Sequence, residues 1–215
     1  MAGRAQGTSA GLSRERIAAT AVALVDRDGL ERFGVRRLAD ELGVDPMSIY
    51  HHVKGKAALL DAVSEAVLTE VADTSDDTTH DWERIARRTA HGYRSMAYRH
   101  PRVFPLLTTR AQTSPVALSA LEELVTAMRE AGLPDQLVAD APLLLFGFLN
   151  GYLLAVLSGE ADGSEAMPSI DPAAFPTMAA LAPLQTGFGS VSEFDRILDT
   201  VLDGIRNRAA GDGAR

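Results

Sequence analysis

Apolar residues recur at helical spacing along most of the chain. After Ser13, a suitable N-cap, Ile17, Ala21, Leu24 and Val25 fall on one face, and Asp28-Gly29 closes the segment. Val35, Leu38, Ala39 and Leu42 repeat at i, i+3, i+4 and i+7 and stop at Gly43. A very short helix is predicted over 46–52, with Asp45 as N-cap and Pro46 at the first position, where a missing N–H costs nothing. The next begins near Lys56, its stripe formed by Leu59, Leu60, Val63, Ala66, Val67 and Val71.

The polar run from Asp73 to Thr79 breaks the pattern and predicts a domain boundary. Beyond it Trp82, Ile85, Thr89, Tyr93 and Met96 line a long helix that ends before Pro101, and a short helix is predicted over 102–109. Ser114-Pro115 starts another, ending at Gly132. Residues 135–158 are apolar nearly all round, which predicts a helix buried against several neighbours. Residues 159–189, with Pro168, Pro172, Pro176 and Pro183, read as a long loop holding one short helical piece. A final helix from about Ser192 carries Phe194, Ile197, Leu198, Val201, Leu202 and Ile205 on one stripe. No run alternates as a strand would. The fold class is all-α, with a flexible arm over 1–12, a three-helix head with the start of a fourth helix over 13–72, a larger helical body over 73–208 and a flexible tail over 209–215.

Cysteine is absent, so thiol chemistry is unavailable and a reducing cytoplasm suits the chain. No apolar core of a signal peptide precedes the first helix. The longest apolar run, Ala141 to Leu157, is broken by Pro142, Asn150 and two glycines and flanked by Asp140 and Glu160, against the roughly 20 apolar residues of a membrane span. No membrane partner is expected.

Net charge is −8, which by itself argues against nucleic acid. The distribution changes that picture. Residues 1–56 carry nine Lys+Arg against seven Asp+Glu, while the other 159 carry twelve against twenty-two. Lys54 and Lys56, the only lysines, both close this slightly basic head.

Two helices joined by a tight glycine turn, the second very short, describe a helix-turn-helix. The second helix of that motif enters the major groove and reads bases with its N-terminal residues. Pro46, Met47 and Ser48 form the tip: the Ser hydroxyl can pair with several bases, and Met47 or Pro46 can touch a thymine methyl. Tyr50 and His52 reach phosphates, while Ile49 faces the core. Lys56 adds charge to helix N-terminal N–H groups already suited to a phosphate. His51 and His52 are adjacent and point about 100° apart, so they do not share a metal ion and are read as DNA contacts. Asp76, Asp77, His80 and Asp81 lie in the polar linker and are read as capping and solvated groups. No metal or cofactor is expected.

The stretch "VRRLADELGVDPMSIYHHVKGKAALLDAV" resembles the TetR (tetracycline repressor) family, from about Leu12 to Leu68. Arg36, Ala39, Leu42-Gly43-Val44, Tyr50, Lys54 and Lys56 match its pattern in order. The family usually starts its second helix with a threonine whose hydroxyl touches phosphate; Gly34-Val35 stands here instead and leaves only backbone N–H for that contact. The resemblance gives Arg36 a base-reading role, with Arg37 either a DNA-backbone contact or a solvated charge. It implies an N-terminal DNA-binding domain, a larger ligand-binding domain, and a homodimer made by the two C-terminal-most long helices; the stripe Phe194, Ile197, Leu198, Val201, Leu202 and Ile205 is what such an interface needs.

The expected function is that of a ligand-responsive repressor, released from a palindromic operator in double-stranded DNA by a small effector. In the family's namesake a histidine on the short helix after the fifth binds a magnesium–tetracycline complex. Arg102 to Leu107 here hold none, and His100 at the preceding helix end is the nearest substitute. The expected lining, Trp82, Ile85, Thr89, Tyr93, Phe104, Leu107, Leu144 and Phe148, suits an apolar or aromatic molecule bound without metal. An all-helical enzyme, or a DNA-binding protein without a ligand, is the alternative. No Glu-x-x-His pair, catalytic carboxylate pair or Gly-rich phosphate loop supports the enzyme.

Overall fold

The computed structural model describes residues 11–72, 80–162, 170–185 and 187–212. Most of the expected arm, the boundary stretch 73–79 with Asp76 and Asp77, and the end of the expected tail lie outside the described residues. Those described form α1 (Arg14–Asp28), α2 (Val35–Leu42), α3 (Pro46–His52), α4 (Gly55–Ala72), α5 (Trp82–Arg99), α6 (Phe104–Thr109), α7 (Pro115–Glu130), α8 (Asp135–Asp162), α9 (Pro176–Leu181) and α10 (Val191–Asp212), with 3₁₀ turns at Leu30–Arg32 and Ala182–Gln185. No strand occurs among them.

The chain makes two compact units. The first holds α1 to α4, α5 from Arg88, α6, and α7 to Leu124; the second holds the start of α5, the rest of α7, and α8 to α10. In the first unit α1 packs on α2 and α4, burying Ile17, Leu24, Leu38, Ile49 and Val63 almost completely. Local chemistry sets the ends of these elements. The Ser13 hydroxyl accepts from Arg16 N–H at 3.2 Å, and the Asp45 carboxylate accepts from Met47 N–H at 2.8 Å. Gly43 is left-handed at φ 68, so its N–H meets the Asp40 carbonyl while that of Val44 meets Ala39. A side chain there would strain the backbone, and the reversal aims α3 away from α2.

In the second unit α8 packs on α10. Leu145, Leu149, Leu153 and Val156 of α8 are buried, as are Phe194, Leu198, Leu202 and Ile205 of α10. Phe148, Tyr152 and Phe194 form an aromatic cluster with ring centroids 5.6–5.8 Å apart. The start of α5 is tied to α10 by the Arg87–Asp199 ion pair and by Arg206, which donates to both Glu83 oxygens at 2.6 and 2.5 Å.

One expectation fails here. The sequence predicts a helix over 135–158 buried against several neighbours, yet within the single chain α8 has an open face: Leu143 and Leu144 are 75% and 53% exposed, and Gly147, Gly151 and Ala155 continue the exposed line. An apolar helix needs cover on every side, but that cover need not come from its own chain. By length and composition Asp135–Gly159 is also apolar enough to cross a membrane.

Candidate nucleic-acid interface and effector residues

The helix-turn-helix presents its reading side to solvent. Met47 is 63% exposed and Tyr50 38%; Pro46 and Ser48 are half-buried, and Arg36, His51, His52, Lys54 and Lys56 are exposed. Ile49, 1% exposed, faces inward and anchors α3. Pro46 at the first position and the Asp45 cap hold a helix of only seven residues together.

Beside this tip lies a cleft of about 120 Å³ lined by Gly34, Val35, Tyr50, Gly55 and Lys56 together with Phe33, Ile49, Val53 and Leu59. It therefore receives the N-terminal ends of both α2 and α4. Each end carries partial positive charge from N–H groups without intrahelical partners, and Gly34 provides no side-chain cap to use up those of α2. Lys56 adds a full charge and Tyr50 a hydroxyl. Helix N-termini and a lysine of this kind suit a phosphate, in a cleft whose other walls are apolar, and the glycine at position 34 leaves the backbone open to approach.

Arg37 is engaged elsewhere. Its guanidinium donates to Asp28 Oδ2 at 2.8 Å and to the Arg32 carbonyl, joining a network in which Arg27 grips both Glu41 oxygens at 3.2 and 3.0 Å. The same Arg27 holds the Glu41 carboxyl below the usual carboxylate range. This network braces the end of α1 against α2. Arg14 likewise pairs with Glu65 at 2.7 Å.

The expected effector residues divide between the units. In the first, Tyr93, Phe104 and Leu107 are buried and Thr89 is half-buried; Tyr93 and Phe104 meet edge to face at 5.6 Å. Burial pushes the Tyr93 hydroxyl up from its ordinary value, keeping it a neutral donor. In the second, Trp82 and Ile85 are buried, Phe148 is half-buried and Leu144 is exposed. The expected dimer stripe also divides. Phe194, Leu198, Leu202 and Ile205 are already covered within the protomer, and only Ile197 and Val201 stay half-buried.

His100 is turned to Asp26 and Glu70, 2.6 and 3.1 Å from its two ring nitrogens. The carboxylates lie against different nitrogens, so no single cation touches both of them and the ring. No group of three or more metal-ligating side chains occurs among the described residues. Sequence reading also missed the N-cap of α10, for which Ser190 three residues before Glu193 was the available signal. The Ser190 hydroxyl accepts from Glu193 N–H at 3.2 Å. The Glu193 carboxylate in turn accepts from Gly189 N–H at 2.9 Å and from the Tyr152 hydroxyl at 2.8 Å.

Comparison with known proteins places this geometry. Residues 17–63 match the family described as bacterial regulatory proteins, tetR family, and residues 74–209 match the tetracyclin repressor-like C-terminal domain. The chain is 33% identical over 144 residues to the HTH-type transcriptional repressor DrrR1 of Streptomyces coeruleorubidus, which covers 65% of this chain and 52% of that one. It thus spans about half the length of that relative. It is 31% identical over 159 residues to the class C tetracycline repressor of Escherichia coli, covering 72% of this chain and 70% of that protein. Among solved structures it is similar to the Streptomyces coelicolor TetR family protein ActR in complex with actinorhodin. The TM-score is 0.80, with 28% identity and coverage of 93% and 98% of the two chains. With both halves matched and the reading helix in place, the chain belongs to the TetR family of bacterial transcriptional regulators.

Proposed function

We infer that the protein is a ligand-responsive transcriptional repressor that binds a palindromic operator as a homodimer and leaves it when a small apolar or aromatic molecule occupies the body. The observation that carries this reading is the cleft that gathers two helix N-termini, Lys56 and Tyr50 beside the exposed tip of α3. Phosphate contacts of that kind release counterions, so binding falls steeply with salt. A gel shift with duplex from upstream of the protein's own gene tests it. Retardation at low salt, lost between about 50 and 200 mM, is expected; no retardation at any salt rejects the reading.

Within this function 13–72 is the reading domain and 73–208 the effector and dimer domain. Leu143, Gly147 and Gly151 of α8, with Ile197 and Val201 of α10, form the seam that a second copy covers. A Cβ built at either glycine meets nothing in its own chain, and that space admits a partner helix at short range. A cytoplasmic place follows from the task of reading DNA, and binding alone, without catalysis, accounts for the site.

The effector is held by apolar walls with Thr89 and Tyr93 as polar handles, and needs no divalent cation. The supporting features are the buried Tyr93–Phe104 pair and a His100 ring committed to Asp26 and Glu70. Actinorhodin, the molecule bound to ActR, is the probe to begin with. Its release of the protein from operator should persist in excess chelator, and Tyr93→Phe should raise the concentration needed by about fivefold to tenfold, the worth of one hydrogen bond. Release that requires magnesium defeats the metal-free assignment.

A further inference from the structure

The turn after α5 is fastened to the ends of two other helices. The His100 imidazole is 8% exposed. Its Nδ1 lies 2.6 Å from Asp26 Oδ2, two residues before the end of α1, and its Nε2 lies 3.1 Å from Glu70 Oε1, in the last turn of α4. Arg99 forms an ion pair with the other Glu70 oxygen. The Arg102 guanidinium donates to the backbone carbonyls of Asp26 and Arg27 at 3.2 and 2.5 Å, where the α1 dipole is negative. The remaining Asp26 oxygen, Oδ1, is buried without a hydrogen-bond partner among the described residues. The charged and titratable groups around the ring are therefore Asp26 from α1, Glu70 from α4, Arg99 from α5 and Arg102 from the turn that follows.

An ionised carboxylate only accepts hydrogen bonds, and a neutral imidazole donates from one nitrogen only. The ring satisfies Asp26 and Glu70 together when it carries both protons. A neutral ring must turn a lone pair toward one carboxylate oxygen, and in a buried place that contact is repulsive. Asp26 suffers most, because its other oxygen has no alternative donor. The arrangement thus has two states separated by one proton, one closed on both helices and the other open on one side.

Both helices belong to the reading apparatus. α1 packs on α2 and α4, and the Arg27–Glu41 and Arg37–Asp28 pairs carry the end of α1 over to α2. The start of α4 forms half of the phosphate cleft. The geometry points to His100 as a positioning residue for DNA reading: its doubly protonated ring latches the C-terminal ends of α1 and α4 to the end of α5, and loss of one proton opens the latch and lowers operator affinity. This rests on the DNA-binding reading. The bonds are complete while the ring carries both protons, and one is lost when it gives one up.

The test uses the full chain and a duplex selected by the wild-type protein from random-sequence DNA. Operator affinity is measured at fixed salt from about pH 5.5 to 8.5 for wild type and His100→Gln. His51 and His52 on α3 are common to both proteins and cancel in the ratio. The affinity ratio should be about tenfold in favour of wild type at the acid end, the worth of one charge-assisted bond, and fall toward one at the alkaline end. A ratio that stays constant across the range reduces His100 to packing and overturns the latch, with the DNA-binding reading intact. A wild-type protein that selects no duplex at any pH overturns both. Should His100→Gln not fold, NMR titration of the wild type decides the matter. Amide signals from the last turns of α1 and α4 must move together with the His100 ring signals, and amides that ignore the ring's titration reject the latch.

Discussion

Leu198→Glu should unfold the second unit, whereas Leu143→Glu should leave each protomer folded and divide the dimer. Leu198 is fully buried within its own chain. A carboxylate there is stripped of water with no cation to meet it, at a cost of several kcal/mol, against a total domain stability of about 5–15 kcal/mol. Circular dichroism should show a large loss of helix. Leu143 is 75% exposed in the single chain, so a charge there is solvated until a second copy approaches. Light scattering should then report half the wild-type mass, with an unchanged melting curve for the protomer. Operator affinity should collapse with it, since two half-sites are read together. An undivided Leu143→Glu dimer would move the interface away from this face of α8.

A comparable loss is expected from the reading side, and its character should separate two kinds of residue. Arg36→Ala and Ser48→Ala remove contacts to particular bases or fix the approach to them. Each good base contact is worth about 1–3 kcal/mol, hence an affinity drop of several-fold to a hundredfold on the operator with little change on unrelated duplex. Lys56→Ala should weaken every sequence alike and flatten the salt dependence by about one unit of slope. That expectation rests on its place in the cleft with two helix N-termini. Arg37→Ala, with its partner Asp28, should act through the brace between α1 and α2, reducing stability and affinity together. A change of base preference with Lys56→Ala, and none with Arg36→Ala, would exchange these roles.

The helix-turn-helix was legible because its punctuation is local. Asp45 and Pro46 declare the start of α3 within two residues, and Gly43 declares the reversal before it, since few other residues adopt its conformation. The α10 stripe illustrates where reading by pattern stops. An apolar face on a helix says that something covers it, without saying whether the cover is the same chain or a second copy. Leu198 and Leu202 prove to be protomer core, while Leu143, which looked like one more residue of a buried helix, is left to the outside. His100 shows a different limit. Its partner Asp26 is 74 residues away, and nothing around either residue announces the other. Arg37 read as either a DNA-backbone contact or a solvated charge, and only the folded position of Asp28 shows its ion pair.

The fastening of α5 to α10 has a consequence for the order in which a cell acquires this protein. Arg87 meets Asp199 across 112 residues of chain, and Glu83 meets Arg206 across 123. At about 5–20 residues per second, the ribosome takes roughly 6–22 s after making Arg87 to supply its partner. By then α1 to α4 have long been synthesised, and their contacts with one another are close in sequence. The half-made product is a reading head whose body lacks most of α10, and a message truncated before codon 199 makes that product permanent. Such fragments present the exposed tip of α3 without the second copy that sets half-site spacing. They are ready substrates for proteases and chaperones, and poor competitors for the operator.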